Sequence, residues 1–245
     1  MAFMDHFKEL RKRLTYIVIA FVLFFILSSL STPYLISLLK SNAINHSIDL
    51  NLFKMNEAVT IHIKLMLFQA IILSCPIIVT QIYQYVKPAL DLHTQKLCTK
   101  IIPVVSLLFL VGSLLGYILI VPLLTSFFLF VANETGLNTM FNFTDYLNLV
   151  LTITLIFGLI LEVPAFLGFL TTLGILQTDV LRKLRRVSYV VLCVFSLVIT
   201  PPDFISDLIV TLLMFSLYEI SILISSHIEK RREVFHLKKR GDEIG

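Results

Sequence analysis

The chain has 245 residues, 57% of them hydrophobic and only 15% charged, with a formal net charge of +4 at pH 7. A typical soluble domain carries about 25% charged residues, so a soluble fold of this length has no means of hiding so much apolar surface. The composition excludes that class and defines a polytopic membrane protein.

In chain order, the basic stretch Lys8 to Arg13 comes first and has the character of a signal-peptide start. The residues after the next apolar run, Ser31-Thr32-Pro33-Tyr34, offer no small-x-small cleavage site, so that run is expected to remain as a span. Apolar runs then occupy residues 14–30, 58–86, 97–130, 147–173, 187–200 and 208–224. With the amino terminus placed in the cytoplasm, 17 of the 20 basic residues fall on the cytoplasmic side, leaving only Lys40, Lys54 and Lys64 elsewhere. The positive-inside rule therefore predicts six spans with both termini cytoplasmic.

The first outer loop, 31–57, holds a possible short helix at 33–40. Apolar alternation at Ile48, Leu50 and Leu52 predicts an extended piece able to cap the outer face. The third run, 34 residues long with Pro103 and Pro122 near its ends, predicts a long tilted helix kinked or started at those prolines. The fourth run has 27 residues, ~40 Å of helix, and one ionisable side chain, Glu162. A carboxyl group there costs about 2.5–3.5 kcal/mol on insertion scales, so it is expected to face protein or water. Pro164 removes a donor and leaves the carbonyl of Ile160 unpaired, which predicts a bend near the acid and a cavity lined by Glu162 and Pro164.

The last two runs have 14 and 17 residues, ~21 and ~26 Å of helix, both short of a ~30 Å hydrocarbon core. The bilayer beside them is expected to thin, or polar flanks to be drawn inward. Thr200-Pro201-Pro202-Asp203 between them reads as a tight outer turn. Residues 1–225 form one six-span domain on this reading, and the basic stretch 226–245 a flexible cytoplasmic tail.

The six histidines show no metal-ligand spacing, the three cysteines no CxxC pair, and no nucleophile elbow or phosphate-cradling glycine loop occurs. Neither an enzyme, a cofactor, a metal site nor nucleic-acid binding is supported. Glu162 and Glu219 are the acids within spans, each either functional or satisfied by neighbouring hydroxyl and backbone groups. Asp203 and Asp207 stand where the outer turn meets the sixth span, suited to helix capping or to a partner. Lys64 reads as snorkelling to the outer interface. Glu9, set among Lys8, Arg11, Lys12 and Arg13, is not required for orientation. It either pairs with Arg11 to Arg13 or stays available to a cationic ligand, and a carboxylate takes a guanidinium in a two-bond fork.

The stretch His6-Phe7-Lys8-Glu9-Leu10-Arg11-Lys12-Arg13-Leu14 resembles the amino-terminal signature of TatC, the multispanning subunit of the twin-arginine protein translocase. Matching pieces follow in order: the segment from Gln81 to Leu90, Phe157-Gly158-Leu159-Ile160-Leu161-Glu162-Val163-Pro164, Thr200-Pro201-Pro202-Asp203 and Tyr218-Glu219-Ile220. The resemblance implies an all-α membrane protein, a concave, glove-shaped assembly of six transmembrane helices, N-in and C-in, with a hollow containing Glu162. It implies a translocase subunit without catalytic chemistry in a bacterial plasma membrane. Such a subunit binds twin-arginine signal peptides of folded cargo at the cytoplasmic face and recruits single-span subunits of the TatA/TatB type into an oligomeric complex surrounded by membrane lipid. Export is driven by the proton-motive force.

By the same resemblance, Glu9, Arg11, Arg13, Tyr85, Pro88, Asp91 and Thr94 belong to the signal-peptide site. Thr200, Asp203, Asp207 and Glu219 belong to the surface for partner helices. Thr94 stands where the family usually carries a glutamate and Gln95 where arginine is common, so the site is expected to rest on Glu9 with Asp91 standing in. The rival reading is a small proton-coupled carrier that uses Glu162.

Overall fold

The computed structural model describes the backbone except at residues 1, 46–49, 90–91, 136–140, 200–203 and 243–245. A number of side chains, among them those of residues 2–7, 92–94, 96–98 and 231–242, also fall outside the description. The fold is all-helical, apart from one two-residue bridge. Eight α-helices are described: α1 (Ala2–Asn45), α2 (Glu57–Val86), α3 (Leu92–Leu115), α4 (Val121–Glu134), α5 (Phe143–Thr172), α6 (Thr178–Lys183), α7 (Arg185–Ile199) and α8 (Phe204–Asp242). Among the described residues, five helical stretches are long and apolar enough to cross a membrane: Lys8–Ala43, Glu57–Val86, Ile102–Glu134, Phe143–Thr172 and Asp207–Lys230. At 15 residues, α7 reaches only ~22 Å, short of a ~30 Å hydrocarbon core, and is not one of the five.

Several expectations change at the element ends. No separate helix begins at Pro33. Instead α1 runs unbroken for 44 residues with Pro33 inside it. Hydroxyls of the preceding turn bond backbone carbonyls there, Thr32 Oγ1 donating to Ser28 O at 2.7 Å and Ser28 Oγ to Phe24 O at 2.6 Å. Neither is the carbonyl that Pro33 deprives of its donor, which is that of Ser29, and the helix continues with that one backbone donor missing. Likewise α8 outlasts its 17-residue apolar run and stays helical through most of the expected tail, to Asp242. Intrahelical hydrogen bonding does not end where the apolar residues do. The outer turn at Thr200 to Asp203 lies outside the described residues.

Two compact units make up the chain. The first comprises residues 1–86 and 110–158. Its helices α1 and α2 are antiparallel neighbours: Arg13 meets Gln81 and Gln84, whereas Ser31 and Thr32 meet Gln69 further along. The long third run is divided by a π turn at Gly116–Ile120, with Val121 N–H donating to Gly116 O five residues back. Pro122 follows at the start of α4, where its ring has no room behind the carbonyl of Ile118; the widened turn relieves that crowding. Gly116 is also a point of close approach, since a Cβ there would lie 2.9 Å from Phe157 Cβ and 3.2 Å from Ile153 O. The extended piece near Leu50 exists as β1 (Leu50–Asn51), paired in parallel with β2 (Phe141–Asn142). Lys64, read from sequence as snorkelling, instead has its Nζ donating to Asn148 Oδ1 at 2.6 Å, which ties α2 to α5.

The second unit comprises residues 87–109 and 159–245. Here α5 ends in a Schellman motif, with Gly174 at φ 75° and Ile175 N–H donating to Leu170 O. Buried Leu181, Tyr218 and Ile222 form a core against Leu167, Leu176, Tyr189 and Leu192. The Tyr218 hydroxyl donates to Leu181 O and accepts from Ser188 Oγ, both at 3.0 Å. Glu229 of α8 accepts from Thr178 N–H at 2.9 Å, capping a helix whose own N-cap, Gln177, offers no side-chain bond.

Candidate functional site

In the first unit, helical periodicity places Glu9 and Arg13 one turn apart on α1, with the acid on the favourable N-terminal side. Arg13 Nη2 and Nε donate to Glu9 Oε1 at 2.6 and 3.2 Å. Its other amino group, Nη1, crosses to α2 and donates to Gln84 Oε1 at 2.6 Å and Gln81 Oε1 at 3.4 Å. One guanidinium thus joins a carboxylate on one helix to two amide oxygens on the next. Lys8, Glu9, Lys12, Arg13, Tyr16 and Gln84 line a cleft of about 500 Å³ beside it. Lys8, Arg11 and Lys12 are exposed, so the cleft lies in a positive field.

Among the other residues expected at a signal-peptide site, Tyr85 is half-buried at the end of α2. Pro88 is exposed in the 3₁₀ turn Lys87–Ala89, in the second unit. Gln95, where the family commonly has arginine, donates from Nε2 to Lys87 O at 3.2 Å and so closes that turn. Thr94 lies in the first turn of α3 with its side chain outside the description, and Asp91 is outside it altogether.

Glu162 is half-buried on α5, between buried Ile160 and Pro164. The helix continues unbroken through that proline.

Thr200 and Asp203, expected to meet partner helices, lie outside the described residues. Asp207 is engaged within the unit, its Oδ1 accepting from Ser196 Oγ of α7 at 2.6 Å, with Thr211 in the same cluster. Glu219 likewise accepts from Arg185 Nη2 at 2.8 Å and from the Tyr189 hydroxyl. Tyr189 is further fixed by stacking on Phe215, with ring centroids 4.6 Å apart. Gln81, Gln84, Ser196 and Tyr189 were not singled out from sequence. Each acts through a partner on another helix, and no local spacing signals that.

Long apolar helices, with their polar groups joined at helix ends and helix–helix contacts, define a multi-pass membrane protein. Residues 5–212 match the family described as Sec-independent protein translocase protein (TatC). Relatives include TatCy of Bacillus subtilis, 34% identical over 92% of this chain and 89% of its own length. TatC of Listeria innocua is 32% identical over 95% of this chain and 94% of its own. A solved twin arginine translocase receptor, TatC, superposes with a TM-score of 0.79 at 26% identity, covering 91% of this chain and 99% of that one. The chain belongs to the TatC family. It is a subunit of the Sec-independent translocase, a transport protein rather than an enzyme.

Proposed function

We propose that this subunit recognises twin-arginine signal peptides of folded cargo at the cytoplasmic face of a bacterial plasma membrane. It spans the membrane six times with both termini inside, and it nucleates assembly with single-span partners for export driven by the proton-motive force. The observation that carries the reading is the Glu9 carboxylate, which already holds a guanidinium beside an open, basic-walled cleft. A planar guanidinium matches a carboxylate in a way that an ammonium does not. The name of the solved relative, a twin arginine translocase receptor, supports the same reading.

Glu9, Arg11, Arg13 and Tyr85 of the first unit are proposed as signal-peptide contacts, and so, separately, are Pro88, Asp91 and Thr94 of the second. Thr200, Asp203, Asp207 and Glu219 lie at the proposed partner surface, and Glu162 with Pro164 lines the proposed cavity. Site-specific photocrosslinking from positions 12 and 16, which line the cleft and leave Glu9 in place, to a signal peptide tests the proposal. Crosslinks are expected with paired arginines and are expected to be lost with paired lysines. Equal crosslinking to both peptides would refute it.

A further inference from the structure

We infer that Arg13 is a resident occupant of the arginine subsite, and that a ligand's guanidinium binds by displacing it from Glu9, Gln81 and Gln84. The inference rests on the proposed signal-peptide reading and adds to it the makeup and regulation of the subsite.

Three observations support it. First, the acceptors around Arg13 are those a foreign arginine needs: one carboxylate oxygen taking two donors, and two amide oxygens taking the opposite amino group. Only a flat cation with donors on both edges bridges such a set, so the set selects guanidinium over ammonium. Second, the closest bonds, both 2.6 Å, are to Glu9 and Gln84, which lie on different helices. Gln84 is therefore a specificity-determining acceptor in its own right. Third, the pair is not sealed: the Arg13 and Glu9 side chains retain 20% and 32% of their exposure, and the cleft lies against both. A ligand has room to approach while Arg13 swings towards solvent on its flexible stem.

Exchange of one guanidinium for another conserves the charge and the hydrogen bonds at the subsite. A lone cation therefore gains little there, and a ligand must bring further contacts to win. Apparent affinity is reduced by the fraction of time the resident is seated, a loss that removing the resident abolishes.

The test uses the full-length chain in detergent and a fluorescein-labelled peptide carrying an Arg-Arg pair before an apolar run, with a Lys-Lys counterpart. Fluorescence anisotropy of Arg13→Gln is expected to show the arginine peptide binding roughly three- to tenfold more tightly than to wild type, with the lysine peptide unchanged. Arg13→Lys, whose ammonium holds Glu9 but cannot also bridge to Gln84, is expected to show a smaller gain and decides the matter if Arg13→Gln does not fold. Adding Gln84→Leu to Arg13→Gln is expected to cancel the gain. Unchanged or weaker arginine-peptide binding by the Arg13 variants overturns the inference, because a merely structural strut would not raise the arginine-to-lysine ratio. If wild type prefers arginine, Glu9→Gln abolishes that preference and the Arg13 variants gain nothing, this inference alone fails. If wild type shows no preference, the underlying functional reading fails with it.

Discussion

Asn142 and Glu57 meet across 85 residues of chain, with Asn142 Nδ2 donating to Glu57 Oε1 at 3.0 Å. The same asparagine accepts from Thr144 N–H at 2.7 Å, and the same glutamate accepts from Phe53 N–H at 2.9 Å. Asn142 thus caps the start of α5, while Glu57, the first residue of α2, holds the Phe53 N–H after β1 and joins the two ends beside the β1–β2 bridge. Asn142→Ala is expected to destabilise the chain by about 1–2 kcal/mol, the cost of a lost N-cap, while Asn142→Asp should keep the cap but place two carboxylates together. Equilibrium unfolding in mixed micelles measures both. An alanine variant as stable as wild type would show that the cap is not needed.

Gly116 leaves no room for a methyl group, because its neighbours at Phe157 and Ile153 belong to the facing helix. Gly116→Ala is expected to cost about 1–3 kcal/mol through forced separation of the helices. Gly174→Ala should cost about 1–2 kcal/mol for a different reason, its positive φ. Gly174→Asn, a residue that tolerates positive φ, should lose less than Gly174→Ala, whereas any side chain at 116 meets the same Cβ and backbone atoms, which separates backbone strain from crowding.

Tyr218 and Glu219 are adjacent in sequence but differ in what they contribute. The Glu219–Arg185 pair is more than a third exposed on both sides, so Arg185→Gln is expected to change stability by less than about 1 kcal/mol. Tyr218→Phe removes the donor to Leu181 O and the acceptor for Ser188 in a buried core, and should cost about 1–2 kcal/mol. Thermal denaturation of the two variants side by side is expected to rank them in that order, and the reverse ranking would overturn the assignment.

Glu162→Ala is expected to impair export severalfold while leaving membrane insertion and protein level intact. The relevant measurement is the transported fraction of a twin-arginine reporter, normalised to the amount of this subunit in the membrane. Wild-type export at normal level would remove Glu162 from the list of necessary groups.

The helices were legible in the sequence because apolar runs of this length have few alternatives in a membrane, and the basic residues beside them are conspicuous. The Glu9–Arg13 pairing was also within reach, since i,i+4 spacing is local. Gln84 as the far anchor of Arg13 was not, because it depends on how α1 and α2 align, and that alignment is set by packing and by bonds such as Thr32–Gln69. The join of Asn142 to Glu57 was hidden for the same reason. Continuation of α1 through Pro33 escaped a rule that treats proline as a stop, because one missing donor does not end a 44-residue helix whose other turns are intact. The lengthening of α8 escaped because hydropathy marks where a membrane ends, not where a helix does.

The π turn has a consequence for phase. A helix advances ~100° per residue, so one surplus residue at Gly116–Ile120 turns everything beyond it by that angle relative to an unbroken α-helix. In an unbroken α-helix Leu124 would lie ~80° around from Gly116; the surplus residue brings the two back to nearly one face, so the stripe that seats Gly116 against Phe157 continues into the stripe that buries Leu124 in α4. Excising one residue within the turn would leave composition and hydropathy almost untouched, yet swing the buried side of α4 about a quarter-revolution away from its neighbours, like a key cut correctly but inserted askew.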